Sequence, residues 1–160
     1  MSADTRAVLP IHLATRFGVL AIGFLSVVLV GFPMEQPPIQ IYRKALLDLP
    51  ARWDTGWYLT IANEGYRYSA ADPNAQQNIA FFPAFPLIVR YLSVILGRQP
   101  LWTCVAVSLA AFFWAMIYFL RLARTHVQDE EQAVTAVLLI SAYPFALFFS
   151  AAYTEALFLL

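Results

Sequence analysis

The run Leu101-Trp102-Thr103-Cys104-Val105-Ala106-Val107-Ser108-Leu109-Ala110-Ala111-Phe112-Phe113-Trp114-Ala115-Met116-Ile117-Tyr118-Phe119-Leu120 decides the fold class. No charged residue interrupts it. The hydrocarbon core of a bilayer is about 30 Å thick and is crossed by about 20 apolar helical residues. This run is read as a transmembrane helix.

The rest of the chain agrees. Of 160 residues, 61% are hydrophobic and 12% charged, where a soluble domain carries about 25% charged residues. Aromatics reach 16%, which suits interfacial belts. The expected fold is an all-α polytopic membrane protein in one transmembrane domain over 1–160, with roughly four or five spans at about 20 residues each. A net charge of zero excludes the basic footprint of a nucleic-acid binder. Cys104 is the only cysteine, so no intramolecular disulfide can form.

Toward the N-terminus, an apolar segment covers 17–32, preceded by Arg6 and Arg16. Gly31-Phe32-Pro33-Met34-Glu35 is a poor signal-cleavage site. The segment reads as an uncleaved signal-anchor with its N-terminus in the cytoplasm, by the positive-inside rule. Residues 33–79 then form the first non-cytoplasmic loop. Its charges are mixed: Arg43, Lys44, Arg52 and Arg67 against Glu35, Asp48, Asp54, Glu64 and Asp72. Two short amphipathic helices are expected there, lying along the bilayer surface. One covers 41–49. The other covers 54–64, with Trp57, Tyr58, Ile61 and Ala62 on one face and Gly65 just past its end.

Around and beyond the deciding run, 78–97 is apolar but carries Pro83, Pro86 and Arg90. A span is expected over 133–149 with a kink at Pro144, and a further apolar segment starts at 151. If 78–97 crosses the membrane, Arg121, Arg124 and His126 fall outside, against the positive-inside rule. If it is re-entrant or interfacial, they return to the cytoplasm and Tyr153-Thr154-Glu155 shares a face with Asp54. The two prolines and Arg90 favour the second arrangement. Phe158-Leu159-Leu160 are apolar with no cap or polar tail. An N-terminal portion of a longer membrane protein, or a truncated gene product, is therefore expected, completed by further C-terminal spans or a partner subunit.

The chemistry concentrates in Arg52-Trp53-Asp54-Thr55-Gly56-Trp57-Tyr58, running on to Gly65-Tyr66. Asp54 is a good helix N-cap. It is equally a candidate general base, because an aromatic, partly desolvated setting raises a carboxyl pKa toward a useful value. Arg52 suits a phosphate or serves as a snorkelling anchor. Glu64 reads as a solvated charge at a helix end. Arg90 and Glu155 are costly in apolar surroundings. Arg90 therefore suits a phosphate or the headgroup zone. Glu155, clustered with Tyr153 and Thr154, suits a cavity, a partner or the interface. Asn78 to Leu87, with its two prolines, reads alone as structural punctuation. His12 and His126 are isolated and receive no role. No Walker loop, dinucleotide fingerprint or zinc-ligand spacing is present, so no cofactor or metal site is expected from these residues.

Three segments together resemble a family: Arg52-Trp53-Asp54-Thr55-Gly56-Trp57-Tyr58 with Gly65-Tyr66, then Ala80-Phe81-Phe82-Pro83-Ala84-Phe85-Pro86-Leu87, then Tyr143-Pro144-Phe145 to Tyr153-Thr154-Glu155-Ala156-Leu157-Phe158. In this order and spacing they resemble the PIG-V-type mannosyltransferases and their prokaryotic relatives, members of the GT-C class of integral membrane glycosyltransferases. The resemblance implies GT-C-like transmembrane helices and a polyprenyl- or dolichyl-phosphate sugar donor. It also implies transfer of mannose to a hydroxyl acceptor at the non-cytoplasmic face, with inversion. Asp54 matches the acidic residue that acts as base or binds acceptor, and Glu155 matches a second acidic position. Arg52, Arg90, Trp53, Trp57, Tyr153 and Thr154 become candidates for binding donor or substrate. Some GT-C enzymes bind a divalent metal; the first-loop carboxylate needs none for this chemistry. Eukaryotic members act in GPI-anchor biosynthesis. The short loops suit a multi-pass protein of a prokaryotic plasma membrane, or of the endoplasmic reticulum membrane in a eukaryote. Family members are much longer, so a product of this length is expected to lack donor-lipid contacts. The alternative is a non-catalytic transporter fragment or scaffold subunit. A transporter places its polar and broken helices near the midplane, with internal repeats. Here the unusual residues gather in one loop and at span ends.

Overall fold

The computed structural model describes residues 1–31, 41, 42, 44, 47–71 and 75–160. All regular structure among them is helical. The first helix, α1, runs Ala3–Leu29 over 27 residues, about 40 Å of rise. Ser2 caps it: its hydroxyl accepts the Thr5 backbone N–H at 3.1 Å. Asp4 in the first turn complements the helix dipole. The helix thus begins well before 17. Arg16 does not flank the span as expected; it lies in its middle and is 3% exposed.

The deciding run extends to a helix over Pro100–His126, again 27 residues, with Pro100 at its first position. By length and composition, this helix and α1 are the two that could cross a membrane among the described residues. Between them lie α2 (Thr55–Glu64) and α3 (Ala84–Ile95), so the long helix is α4. After it come α5 (Glu130–Ala142) and α6 (Glu155–Leu159). Helix α4 is the hub: it packs on α1, α2, α3, α5 and α6.

Ion pairs set the direction of the two long helices. Asp4 takes Arg121 at 2.7 Å and Arg124 at 2.6 Å, and Arg124 also meets Glu130 at 2.6 Å. The start of α1 therefore sits at the end of α4, and the helices run antiparallel. Everything between them leaves from and returns to the opposite end. Helix α3 has 12 residues, about 18 Å against a core of about 30 Å.

The span expected over 133–149 is broken rather than kinked. Asp129 starts α5 by accepting the Glu131 N–H at 3.1 Å. Tyr143 then turns to φ −59°, ψ 140°, because the residue before a proline is pushed out of the α region. Pro144–Phe149 form a 3₁₀ turn, and α-helix resumes only at Glu155. Arg16 fills the break. Its Nη1 donates to Ala146 O at 2.6 Å and to Ser150 Oγ at 2.9 Å. Its Nη2 donates to Ser141 O. Those acceptors are why a cation can be buried in α1.

Two apolar clusters result. Val8, Phe112, Met116, Leu120 and Val137 join α1, α4 and α5 near the Asp4 end. Tyr58, Leu59, Phe85, Val89, Leu101 and Cys104 join α2, α3 and α4 at the other, with Ala152. Helix α2 appears where expected, ending on Gly65 at φ 87°. Its apolar face, however, is covered by α3 and α4 rather than turned to lipid. Trp57 is only half-buried. The helix expected over 41–49 falls partly on residues 43, 45 and 46, outside the described residues; the described residues beside them are bends and turns. Glu35, Arg43 and Asp72 also lie outside. Asp48, by contrast, is buried and organises this loop, accepting the N–H groups of Ile41 at 3.2 Å and Tyr42 at 3.0 Å.

Candidate active site

Asp54 immediately precedes α2, yet its side chain makes no cap hydrogen bond. The carboxylate is half-buried and unspent. Its backbone N–H donates instead to the Tyr153 hydroxyl at 2.9 Å. A hydrogen bond between Tyr58 Oη and Thr154 Oγ1 at 3.3 Å ties α2 to the same distant segment. Ser108 on α4 donates to Tyr153 O at 3.0 Å from below. Tyr153-Thr154-Glu155 is therefore brought against Asp54.

The Phe-Pro segment joins them. Asn78 is buried and clamps the end of the loop: its Oδ1 accepts the Arg67 N–H at 2.9 Å and its Nδ2 donates to Gly65 O at 3.1 Å. That holds Phe81 and Phe85 against α2. Trp57 stacks on Phe81 at 5.9 Å. Tyr58 meets Phe81 at 5.2 Å, Phe85 at 5.4 Å and Tyr153 at 6.0 Å. Tyr58 is thus the pivot of all three motifs. In the sequence it is only the last residue of the first motif and one aromatic on the face of α2 expected to lie on the bilayer surface. Its ring, one turn past Asp54, was the signal available.

Trp53 is 59% exposed and stands at φ 44°, a left-handed conformation that costs a residue with a Cβ about 1–3 kcal/mol. Its ring leans on Phe148 at 5.7 Å, and Phe148 on Tyr153 at 5.4 Å. Trp53 stands outward in this conformation, and the next residue, Asp54, meets the Tyr153 hydroxyl through its backbone N–H. Arg52 is half-buried and donates to Asp48 O at 3.3 Å and Ala51 O at 3.0 Å; burial lowers its pKa, with Asp48 opposing. Arg90 is not brought to Asp54. It is exposed on α3, with its guanidinium 3.9 Å from where a Cβ on Gly65 would stand. That is the far end of α2. Glu64 pairs with Arg67 at 3.1 Å as a solvated helix-end charge.

Burial pushes the Tyr153 phenol up to about 12, so it acts as a hydrogen-bonding hydroxyl and not as a base. Burial, and then repulsion from Asp54, raise the Glu155 carboxyl. Its Oε2 is buried without a hydrogen-bond partner. Two carboxylates in unequal surroundings can divide acid and base roles. No group of three or more His, Cys, Asp and Glu among the described residues is placed to hold a metal ion. A shallow apolar crevice lined by Val8, Leu120 and Val137 belongs to the other cluster and has no chemistry to offer.

The Glu155 shift carries a stability prediction. A folded-state pKa above the unfolded value means the folded state keeps its proton longer. Stability then falls as pH rises from the ordinary carboxylate range through the raised value. Glu155→Gln should flatten that limb and raise Tm at neutral pH, read by thermal unfolding of the purified protein across pH. An unchanged profile would remove Glu155 as its source.

Residues 29–160 match the model of the family described as Mannosyltransferase (PIG-V). The mouse protein named GPI alpha-1,6-mannosyltransferase 2 is 33% identical over 130 residues, covering 72% of this chain and 24% of its own length. Its human counterpart is 32% identical over 126 residues, 73% of this chain and 24% of its own length. GPI mannosyltransferase 2 of Drosophila pseudoobscura pseudoobscura is 30% identical over 117 residues, with 66% and 24% covered. The chain thus spans about a quarter of the length of these relatives. No solved structure matches it.

Proposed function

The chain belongs to the PIG-V mannosyltransferase family, and from that premise we propose that it carries the acceptor-activating part of a membrane mannosyltransferase. Asp54 takes the proton of an acceptor hydroxyl. The acceptor oxygen attacks the anomeric carbon of a mannosyl polyprenyl- or dolichyl-phosphate. The bond from that carbon to the phosphate oxygen breaks, and the lipid phosphate leaves with the electron pair, inverting the centre. Trp53 and Trp57 offer ring faces to the sugar, and Thr154 and Tyr153 frame the carboxylate. Arg52 is the cation on the Asp54 side, and Arg90 serves the donor phosphate only from beyond the far end of α2.

The observation that carries this reading is the unspent Asp54 carboxylate: its own backbone N–H holds the Tyr153 hydroxyl, and its charge is close enough to Glu155 to raise that carboxyl. A broken helix is also a transporter device. Here Arg16 plugs the break and Tyr153 ties it to Asp54, which supports site-building over a substrate path.

The non-cytoplasmic placement of the site is part of the proposal. Arg121 and Arg124 cluster with the N-terminus at one end, and the positive-inside rule puts that end in the cytoplasm. Asp54 then faces the other side. In a Cys104→Ser background, Thr154→Cys should react with a membrane-impermeant maleimide only from the non-cytoplasmic face, and Thr125→Cys only from the cytoplasmic one. The reverse pattern would sink the assignment. The activity is tested by expressing the full-length protein in membranes supplied with labelled polyprenyl-phosphate mannose. Mannose transferred to a membrane acceptor is expected, and none would overturn the reading.

A further inference from the structure

Among the described residues, Arg16 is the only buried lysine or arginine, and the mechanism above leaves it unused. None of its hydrogen-bond partners is an acid: they are Ser141 O, Ala146 O, Ser150 Oγ and, at 3.4 Å, Thr15 Oγ1. Its charge is therefore not spent in neutralising a carboxylate. Its guanidinium lies 4.7 Å from the centre of the Phe112 ring, which itself stacks on Phe149 at 4.6 Å. Ring and fork together fix the plane of the cation.

The three long-range acceptors are informative. Ser141 is in the last turn of α5, Ala146 is inside the 3₁₀ turn, and Ser150 is the first residue beyond it. A carbonyl in the last turn of a helix has no ladder partner, a 3₁₀ carbonyl keeps a lone pair beyond its one poorly aligned bond, and an apolar interior offers no water. The end of α5 is also the negative end of its dipole, where a cation is favoured. A planar fork reaches acceptors on separate turns at once, and an ammonium in its place keeps the charge and three donors in a less fixed geometry. Past Ser150 only three residues remain before Thr154. Tyr153 N–H bonds to Ala151 O at 2.9 Å, Ser108 holds Tyr153 O, and the Tyr153 hydroxyl meets Asp54 N.

We propose that Arg16 is a positioning residue of the candidate active site: by capping the break between α5 and α6 it sets the height and angle at which Tyr153, Thr154 and Glu155 meet Asp54. This rests on the proposed mannosyl transfer. It adds a residue outside the 29–160 stretch that the family model matches.

The test uses Arg16→Met, an apolar replacement that a transmembrane helix accepts readily, and Arg16→Lys, in full-length protein in nanodiscs. The first readout is transfer from labelled polyprenyl-phosphate mannose. Arg16→Met should lower kcat about tenfold or more with donor KM within about twofold, the pattern of a lost transition-state alignment. Arg16→Lys should recover a substantial part of kcat. The second readout needs no activity: Ala151→Cys in a Cys104→Ser background, with the maleimide reaction rate measured. Labelling should quicken about fivefold or more in Arg16→Met, as a locally opened turn requires, and stay near the parent rate in Arg16→Lys. Parent-like kcat and labelling in Arg16→Met would overturn the proposal. So would a loss of kcat with unchanged labelling and no recovery in Arg16→Lys. If instead the protein transfers no mannose, the enzymatic reading fails by itself, and the labelling rates alone decide whether Arg16 holds the turn.

Discussion

Asp54→Asn is expected to cut mannosyl transfer by about 10²–10⁴-fold, the usual contribution of a general base, while leaving α2 in place. The two roles open to this residue separate cleanly here. A lost N-cap costs about 0.5–2 kcal/mol of stability. The Asp54 side chain makes no cap hydrogen bond, so there is little of that term to lose. Asparagine keeps the size and polarity and removes only the basicity. The fall should appear equally in kcat and kcat/KM, with Tm nearly unmoved. Initial rates in membranes and a melting curve check both halves. A parent-like rate removes Asp54 from the chemistry; a large drop in Tm restores it to a structural role.

Phe112→Ala should destabilise the protein by about 3–5 kcal/mol, the range for a large aromatic truncated in a core that cannot close over the gap. Phe112 is fully buried. It lies face to face with Phe149 at 4.6 Å, under the Arg16 guanidinium and 5.8 Å from the His12 ring. Helix packing within a membrane leans on such dispersion contacts, since lipid tails are as apolar as the side chains. Removing the ring strips contacts from α1, α4 and the 3₁₀ turn together and exposes the cation to a void. Unfolding in a denaturing detergent titration measures the loss. A change below about 1 kcal/mol would mean the neighbours collapse into the space, as compliant sites do.

Composition and one charge-free run were enough to read the helical class and the hub helix. The ends of α1 and α5 were not readable in the same way. A lone arginine before an apolar stretch looks like a flanking cation, and only tertiary acceptors reveal it as buried. Those acceptors exist because Pro144 breaks α5, and a proline alone does not say whether a helix bends or stops. The three motifs stood out one by one, as aromatics, prolines and carboxylates in apolar company. Charge topology puts the first and third on one face of the membrane, but not in contact: Tyr153 reaches Asp54 N while Ser108 holds its carbonyl and Tyr58 and Phe85 pack beside it, which no local pattern encodes. Arg90 stands out as a cation in an apolar segment, but that pattern does not say where on the fold it sits; packing of α3 on α2 puts it beside Gly65, at the end of α2 away from Asp54.

The double ion pair of Asp4 with Arg121 and Arg124 has a mechanical consequence. It fastens the two longest helices at one end only. Toward Leu29, α1 shows Phe17, Ile22, Leu25 and Leu29 outward. The pair therefore behaves as tweezers: displacements of α1 should grow with distance from Asp4, restrained halfway by Arg16 and, further out, by Leu49 lying against Gly23.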